Sequence, residues 1–150
     1  MGKKLARVLL IDDNDVTRSL LRGMLRGEDY EVVGEARNAE QGLEMAQRVE
    51  PDIICLDIEM PGKSGIEILP DLREALPKAR ILMVTGHAER EMVQTAAEAG
   101  ACGYIVKPFN AAKVLDSLAA AVAKPKAANQ ERSQPEQRPA EQRPEQSQDR

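Results

Sequence analysis

Five short aliphatic runs, spaced along the chain and each followed by a stretch of helical periodicity, limit its fold more than any other feature. They are Arg7–Ile11, Glu31–Ala36, Asp52–Asp57, Arg80–Val84 and Ala101–Val106. Continuous runs of Ile, Val and Leu bounded by turn residues read as strands covered on both faces, as in a parallel sheet. The second run is shorter in apolar residues and more polar, as an edge strand should be. Strands alternating with helices prescribe right-handed crossovers and helices on both faces. The expected fold class is therefore α/β, a doubly wound five-stranded parallel sheet.

The helices carry their own start and stop signals. Asp15 is placed to cap the first, in which Val16, Leu20 and Met24 form a stripe with Leu21 and Leu25 beside it, and Arg18, Arg22 and Arg26 form a solvated outer face. Asn38 with Gln41, and Ser64 with Glu67, have capping-box spacing. Pro51 ends the second helix, whose apolar face is Leu43, Met45, Ala46 and Val49; Ile66, Leu69, Leu72 and Leu76 line the third, and Pro70 should kink it or loosen its first turns. A fourth helix runs from about Glu89 to Ala99 and stops at Gly100. Asn110 caps a fifth, with Val114, Leu115, Leu118, Ala119 and Val122 facing the sheet.

Trp is absent and Tyr30, Tyr104 and Phe109 are the only aromatic residues, so the core must be aliphatic. A net charge of -4 and the lack of a Lys/Arg stripe argue against a nucleic-acid face. With no apolar run of about 18 residues and no signal-type segment, no membrane span or export is expected, and the chain reads as cytoplasmic. From Pro125 onward Gln, Glu, Arg, Pro and Ser replace large aliphatic residues, and Glu-Gln-Arg-Pro recurs at 136–139 and 141–144. Such a segment cannot offset its ordering entropy. The domain is accordingly placed at 1–124, followed by a disordered low-complexity tail at 125–150.

Chemistry gathers where the runs end. The first stops on Asp12-Asp13, the third on Asp57, the fourth on Thr85-Gly86 and the fifth on Lys107-Pro108. In open α/β sheets ligand sites lie beyond the carboxyl ends of the strands. Asp57 alone would equally suit a loop cap, and Lys107 alone a surface ion pair. Three carboxylates in one crevice repel one another and need a hard cation such as Mg²⁺ or Mn²⁺. Beside that cation an ammonium and a hydroxyl make a clamp for a phosphoryl group, with Asp57 as the nucleophile.

The motifs Ile11-Asp12-Asp13, Leu56-Asp57-Ile58-Glu59-Met60-Pro61 with Gly65, Val84-Thr85-Gly86 and Gly103-Tyr104-Ile105-Val106-Lys107-Pro108-Phe109 occur in that order. Over residues 5–123 the sequence resembles the receiver domain of bacterial two-component response regulators, in its chemotaxis-regulator-like, stand-alone form. The resemblance implies the flavodoxin-like strand order 2-1-3-4-5. It implies that Asp57 accepts a phosphoryl group from a histidine kinase or phosphotransfer protein, with Asp13, Asp57 and the Glu59 carbonyl on the metal and Asp12 acting mainly through water. It further implies phosphoryl contacts from Thr85 and Lys107, a Tyr104 rotamer switch, and a cis bond before Pro108. An output protein would bind the face made by the fourth helix, fifth strand and last helix. In this family Glu59 and His87 occupy positions that tune phosphoryl lifetime; the alternative for both is a solvated loop residue, and for Tyr104 simple packing.

The chain would then be a signalling switch rather than an enzyme, limited to its own phosphotransfer and autodephosphorylation. Two alternatives use the same residues. An aspartyl-phosphate phosphohydrolase of the haloacid-dehalogenase type would place its paired acids last and an Asp two residues after the nucleophile, where this chain has Glu59. An interaction module without phosphorylation would not need the complete acid set. Cys55 and Cys102, each inside a buried strand, would lie two strands apart in that order, roughly 9.5 Å, and so beyond disulfide reach.

Overall fold

A computed structural model describes residues 5–86 and 89–123. The elements are β1 (Ala6–Ile11), α1 (Asp15–Leu25), β2 (Tyr30–Ala36), α2 (Ala39–Val49), β3 (Ile53–Asp57), α3 (Gly65–Ala75), β4 (Arg80–Thr85), α4 (Arg90–Glu98), β5 (Gly103–Val106) and α5 (Ala111–Ala123). All strand pairs are parallel and the order is β2-β1-β3-β4-β5, the arrangement read from the motifs. The tail at 125–150 lies outside the described residues, as does the end of the expected domain at residue 124. Among the described residues no helix is long and apolar enough to cross a membrane.

Alternation along each strand divides the core in two. Leu9, Ile11, Ile54, Leu56, Ile81 and Met83 face α2, α3 and α4. Val8, Leu10, Ile53, Cys55, Leu82 and Val84 face α1 and α5. Full burial of each such side chain stabilises the fold by about 1.5–3 kcal/mol, so both faces of the three central strands are held firmly. Cys55 and Cys102 are buried free thiols. Burial pushes the Cys55 thiol up to about 12, which leaves it an inert packing group. Cys102 sits just before β5 rather than within it.

Helix ends mostly follow the expected chemistry. The Asn38 side chain accepts from Gln41 N–H, Asn110 accepts from Lys113 N–H at 2.8 Å, and Ser64 and Glu67 form a complete capping box. The Gln41 side chain accepts from Arg37 N–H instead of closing the box on Asn38. Gly100 ends the α4 region with φ +112°, a conformation open to glycine. α3 runs through Pro70 without interruption; the tertiary packing of Ile68, Leu69 and Leu72, all buried, outweighs the lost backbone bond.

Four expectations need correction. Asn14, not Asp15, caps α1, accepting from Thr17 N–H at 3.0 Å. The inward face of α1 is Leu21 and Leu25, while Val16 and Leu20 are 66% and 51% exposed. At about 100° per residue the apolar positions of α1 span roughly half the helix circumference. The sheet takes only the Leu21–Leu25 side, and Arg18, some 20° beyond Leu25 on the same projection, is drawn in with it. Arg18 is therefore not on a solvated face: its side chain is 12% exposed. In α5 the same geometry buries Val114, Leu118 and Ala121, leaving Ala119 and Val122 outside.

Candidate functional site

The predicted strand ends meet at one edge of the sheet. Asp12 follows β1, whose backbone is carried past its last residue by a bond from Asp12 N–H to Ala36 O at 3.0 Å. Asp57 closes β3 and Thr85 closes β4; both are buried, as is Asp12, and Asp13 is exposed. Lys107 follows β5, its N–H donating to Thr85 O at 2.7 Å, and the Lys107–Pro108 bond is cis. One carboxylate oxygen from each of Asp12, Asp13 and Asp57 lies within 4.8 Å of the others. Lys107 Nζ stands 3.4 Å from Asp12 Oδ2 and 3.5 Å from Asp57 Oδ1.

The acids are oriented by backbone donors. Asn14 N–H donates to Asp12 Oδ1 at 2.8 Å, and Glu59 N–H donates to Asp57 Oδ1 at 3.2 Å. Burial raises the Asp57 carboxyl from its ordinary range to about 7, with the Asp12 charge adding to the rise, while Lys107 and the Glu59 N–H oppose it. Asp12 Oδ2 is buried and accepts no hydrogen bond. A single ammonium thus lies within ion-pair distance of Asp12 and Asp57 in a cluster of three acids, and among the described residues Asp12 Oδ2 has that ion pair but no hydrogen bond. This donor set, all hard oxygen and net negative, fits a divalent cation of the Mg²⁺ class.

The model of the response regulator receiver domain matches residues 8–119. This chain belongs to that family. It is 39% identical over 112 residues to the chemotaxis protein CheY of Halobacterium salinarum, covering 75% of this chain and 92% of that one. Among solved structures, the receiver resembles the CheX–CheY–BeF3–Mg²⁺ complex of Borrelia burgdorferi with a TM-score of 0.76, 29% identity, and coverage of 79% and 90%. It also resembles a Burkholderia pseudomallei response regulator with a phosphorylated aspartic acid, calcium ion and citrate, with a TM-score of 0.68, 34% identity, and coverage of 75% and 66%.

The remaining expected site residues sit around the receiver's acid cluster. Tyr104 is 45% exposed and turns outward. Beneath it is a cavity of about 250 Å³ walled by Ile58, Met83, Thr85, Val93 and Ala96. Glu59 is exposed and its Oε1 lies 4.0 Å from where a Cβ on Gly86 would stand, so its carboxylate overhangs the β4 end. His87 lies outside the described residues. A wider groove of about 850 Å³ between α2 and the β3–α3 loop is lined by none of Asp12, Asp13 and Asp57.

Sequence reasoning missed Arg18, Glu35 and the backbone of Asn14. Arg18 donates from one guanidinium nitrogen to Asp12 O at 2.6 Å and from Nε to Glu35 Oε1 at 3.0 Å, and it also pairs with Asp15. The signal present in the sequence was the Asp15/Arg18 spacing of three, which places both on one helix face. Nothing local marked Glu35, because its relation to Arg18 exists only once β2 lies beside β1.

Proposed function

We propose that this receiver is a phosphorylation-dependent switch in which Asp57 is the phosphoacceptor. The observation that carries the reading is the placement of a buried Asp57 carboxylate between two further acids and an ammonium 3.5 Å away. Asp57 attacks phosphorus as the P–N bond of a donor phosphohistidine breaks, and the imidazole leaves with a proton. Asp13, Asp57 and the Glu59 carbonyl would hold Mg²⁺ or Mn²⁺, with Asp12 acting through water. Bound there, the cation supplies charge neutralisation for the incoming phosphoryl oxygens.

Lys107 pairs with one phosphoryl oxygen and the Thr85 hydroxyl donates to another. As Thr85 is drawn to the phosphoryl group, Tyr104 moves into the cavity below it, and the α4–β5–α5 face changes shape. The donor is a histidine kinase or a phosphotransfer protein, and the output is a protein that reads that face. The chain acts on itself and turns over no separate substrate. Glu59 and His87 adjust the phosphoryl lifetime. The B. pseudomallei relative, with its phosphorylated aspartic acid, and the CheX–CheY–BeF3–Mg²⁺ complex support the same chemistry here.

Labelling with acetyl phosphate or a histidine kinase tests the assignment. Asp57→Asn removes the nucleophilic carboxylate while keeping its shape, and the hydroxylamine-sensitive mass increase of one phosphoryl group should vanish. Undiminished labelling of that variant would refute the assignment.

A further inference from the structure

The ion-pair network on the α1–β2 flank reaches the acid cluster at a single backbone atom. Arg18 spreads its guanidinium over three acceptors: the carbonyl oxygen of Asp12 at 2.6 Å, Glu35 Oε1 at 3.0 Å, and the Asp15 carboxylate. Glu35, in β2, is gripped a second time by Arg22, and Asp15 also faces Arg37 at 3.7 Å. Two carboxylates thus absorb the Arg18 charge, so it does not neutralise the acid cluster. What Arg18 offers the cluster is position.

That position matters because of what the next residues do. Asp12 is tethered by Arg18 at its carbonyl and by Asn14 N–H at its side chain, at 2.6 and 2.8 Å. Asp13 lies between Asp12 and Asn14, so the backbone that carries it is held on both sides although its side chain is exposed. A metal ligand on a solvated turn would otherwise sample many orientations, and each lost rotation would weaken binding.

Resting on the phosphoacceptor reading above, we propose that Arg18 is a positioning residue for divalent-cation binding. It fixes the β1–α1 turn through the Asp12 carbonyl, with Glu35 as its anchor on the edge strand. Partners that orient metal ligands from behind typically change metal affinity by about 10–100-fold when removed, and a backbone tether should sit at the lower end.

Calorimetric titration of the full chain with Mg²⁺, in the absence of any phosphoryl donor, tests this. Arg18→Met should weaken Mg²⁺ binding about tenfold. Arg18→Lys should recover only part of the loss, since an ammonium keeps the charge but cannot serve three acceptors as a fork. Glu35→Gln should fall between wild type and Arg18→Met. Ile53→Val, a core change at the opposite end of β3, controls for lost stability: its metal-free melting temperature should drop while its Mg²⁺ affinity holds. Wild-type affinity in Arg18→Met, or equal weakening in Ile53→Val, would overturn the role of Arg18. Absence of any Mg²⁺ response in the wild type would instead overturn the acid-site reading, and this inference with it.

Discussion

On one flank of the acid cluster, β1, α1 and β2 are laced together by Arg18, Arg22, Glu35 and Asp15. On the other, β4, α4 and β5 surround a cavity of about 250 Å³, and the Tyr104 ring stands partly in solvent beside it. The helix starts differ in the same sense. Asn14, Asn38, Ser64 and Asn110 each accept a backbone hydrogen bond, whereas Glu89, at the start of α4, gives its helix no side-chain cap. A missing cap leaves α4 about 1 kcal/mol less secure than its neighbours. The contrast suits the proposed switch, in which metal ligands would need fixed geometry while a rotating Tyr104 would need space and a yielding helix.

The largest effect on this contrast should come from the hinge between the flanks. Gly65 opens α3 so close to β3 that an added Cβ would lie 2.2 Å from Asp57 O, 3.0 Å from Asp57 C and 3.1 Å from Ile58 Cα. All three are backbone atoms and none can rotate away. Gly65→Ala should therefore destabilise the fold by about 3 kcal/mol and displace Asp57, abolishing phosphoryl labelling even under conditions where the variant remains folded. Urea unfolding gives the first quantity and labelling of the folded fraction the second. A variant with wild-type stability and labelling would show that the β3–α3 junction has far more freedom than its geometry allows.

The strand order and the residues gathered at the strand ends were legible because each strand carries its own pattern and its own terminal residue. Asp12, Asp57, Thr85 and Lys107 needed only the parallel arrangement to meet. What could not be read was which part of a broad apolar arc the sheet would choose. Helix α1 offers Val16, Leu20, Met24, Leu21 and Leu25 around half its circumference, and local periodicity does not say that the last two win. That rotation alone separates a solvated Arg18 from one that holds the Asp12 carbonyl. The shift of register between Val8/Val32 and Leu9/Gly34 is equally silent in sequence, although it sets where Glu35 falls beside β1.

The rigid flank also fixes an electrostatic cost that pH should expose. The Asp57 carboxyl titrates near 7 in the folded chain against about 4 when unfolded. Between those values the folded state binds more protons, so the stability of the metal-free chain falls as pH rises through that window. Wild type should lose on the order of 10 °C of melting temperature between pH 4 and pH 8 relative to Asp57→Asn, which lacks this carboxyl. Mg²⁺ should close the gap most strongly at pH 8, where its ligands are charged. Parallel pH profiles of melting temperature for the two proteins would show that burial and the Asp12 charge do not raise the Asp57 carboxyl.

The smallest effect belongs to the hollow flank. Ala101 and Tyr104 both border the cavity; Ala101 is half-buried, while Tyr104 is largely turned to solvent. Ala101→Val should fill part of the space and stabilise the unphosphorylated chain by about 0.5 kcal/mol. The same methyl groups would compete with the Tyr104 ring for its inward position, so the phosphorylated form should gain nothing. Tyrosine fluorescence recorded before and after acetyl phosphate follows the ring directly: its response should shrink in Ala101→Val while Asp57 labels to the wild-type extent. An undiminished response would mean that the ring does not use this cavity, and that the looseness of the β4–α4–β5 flank serves packing alone.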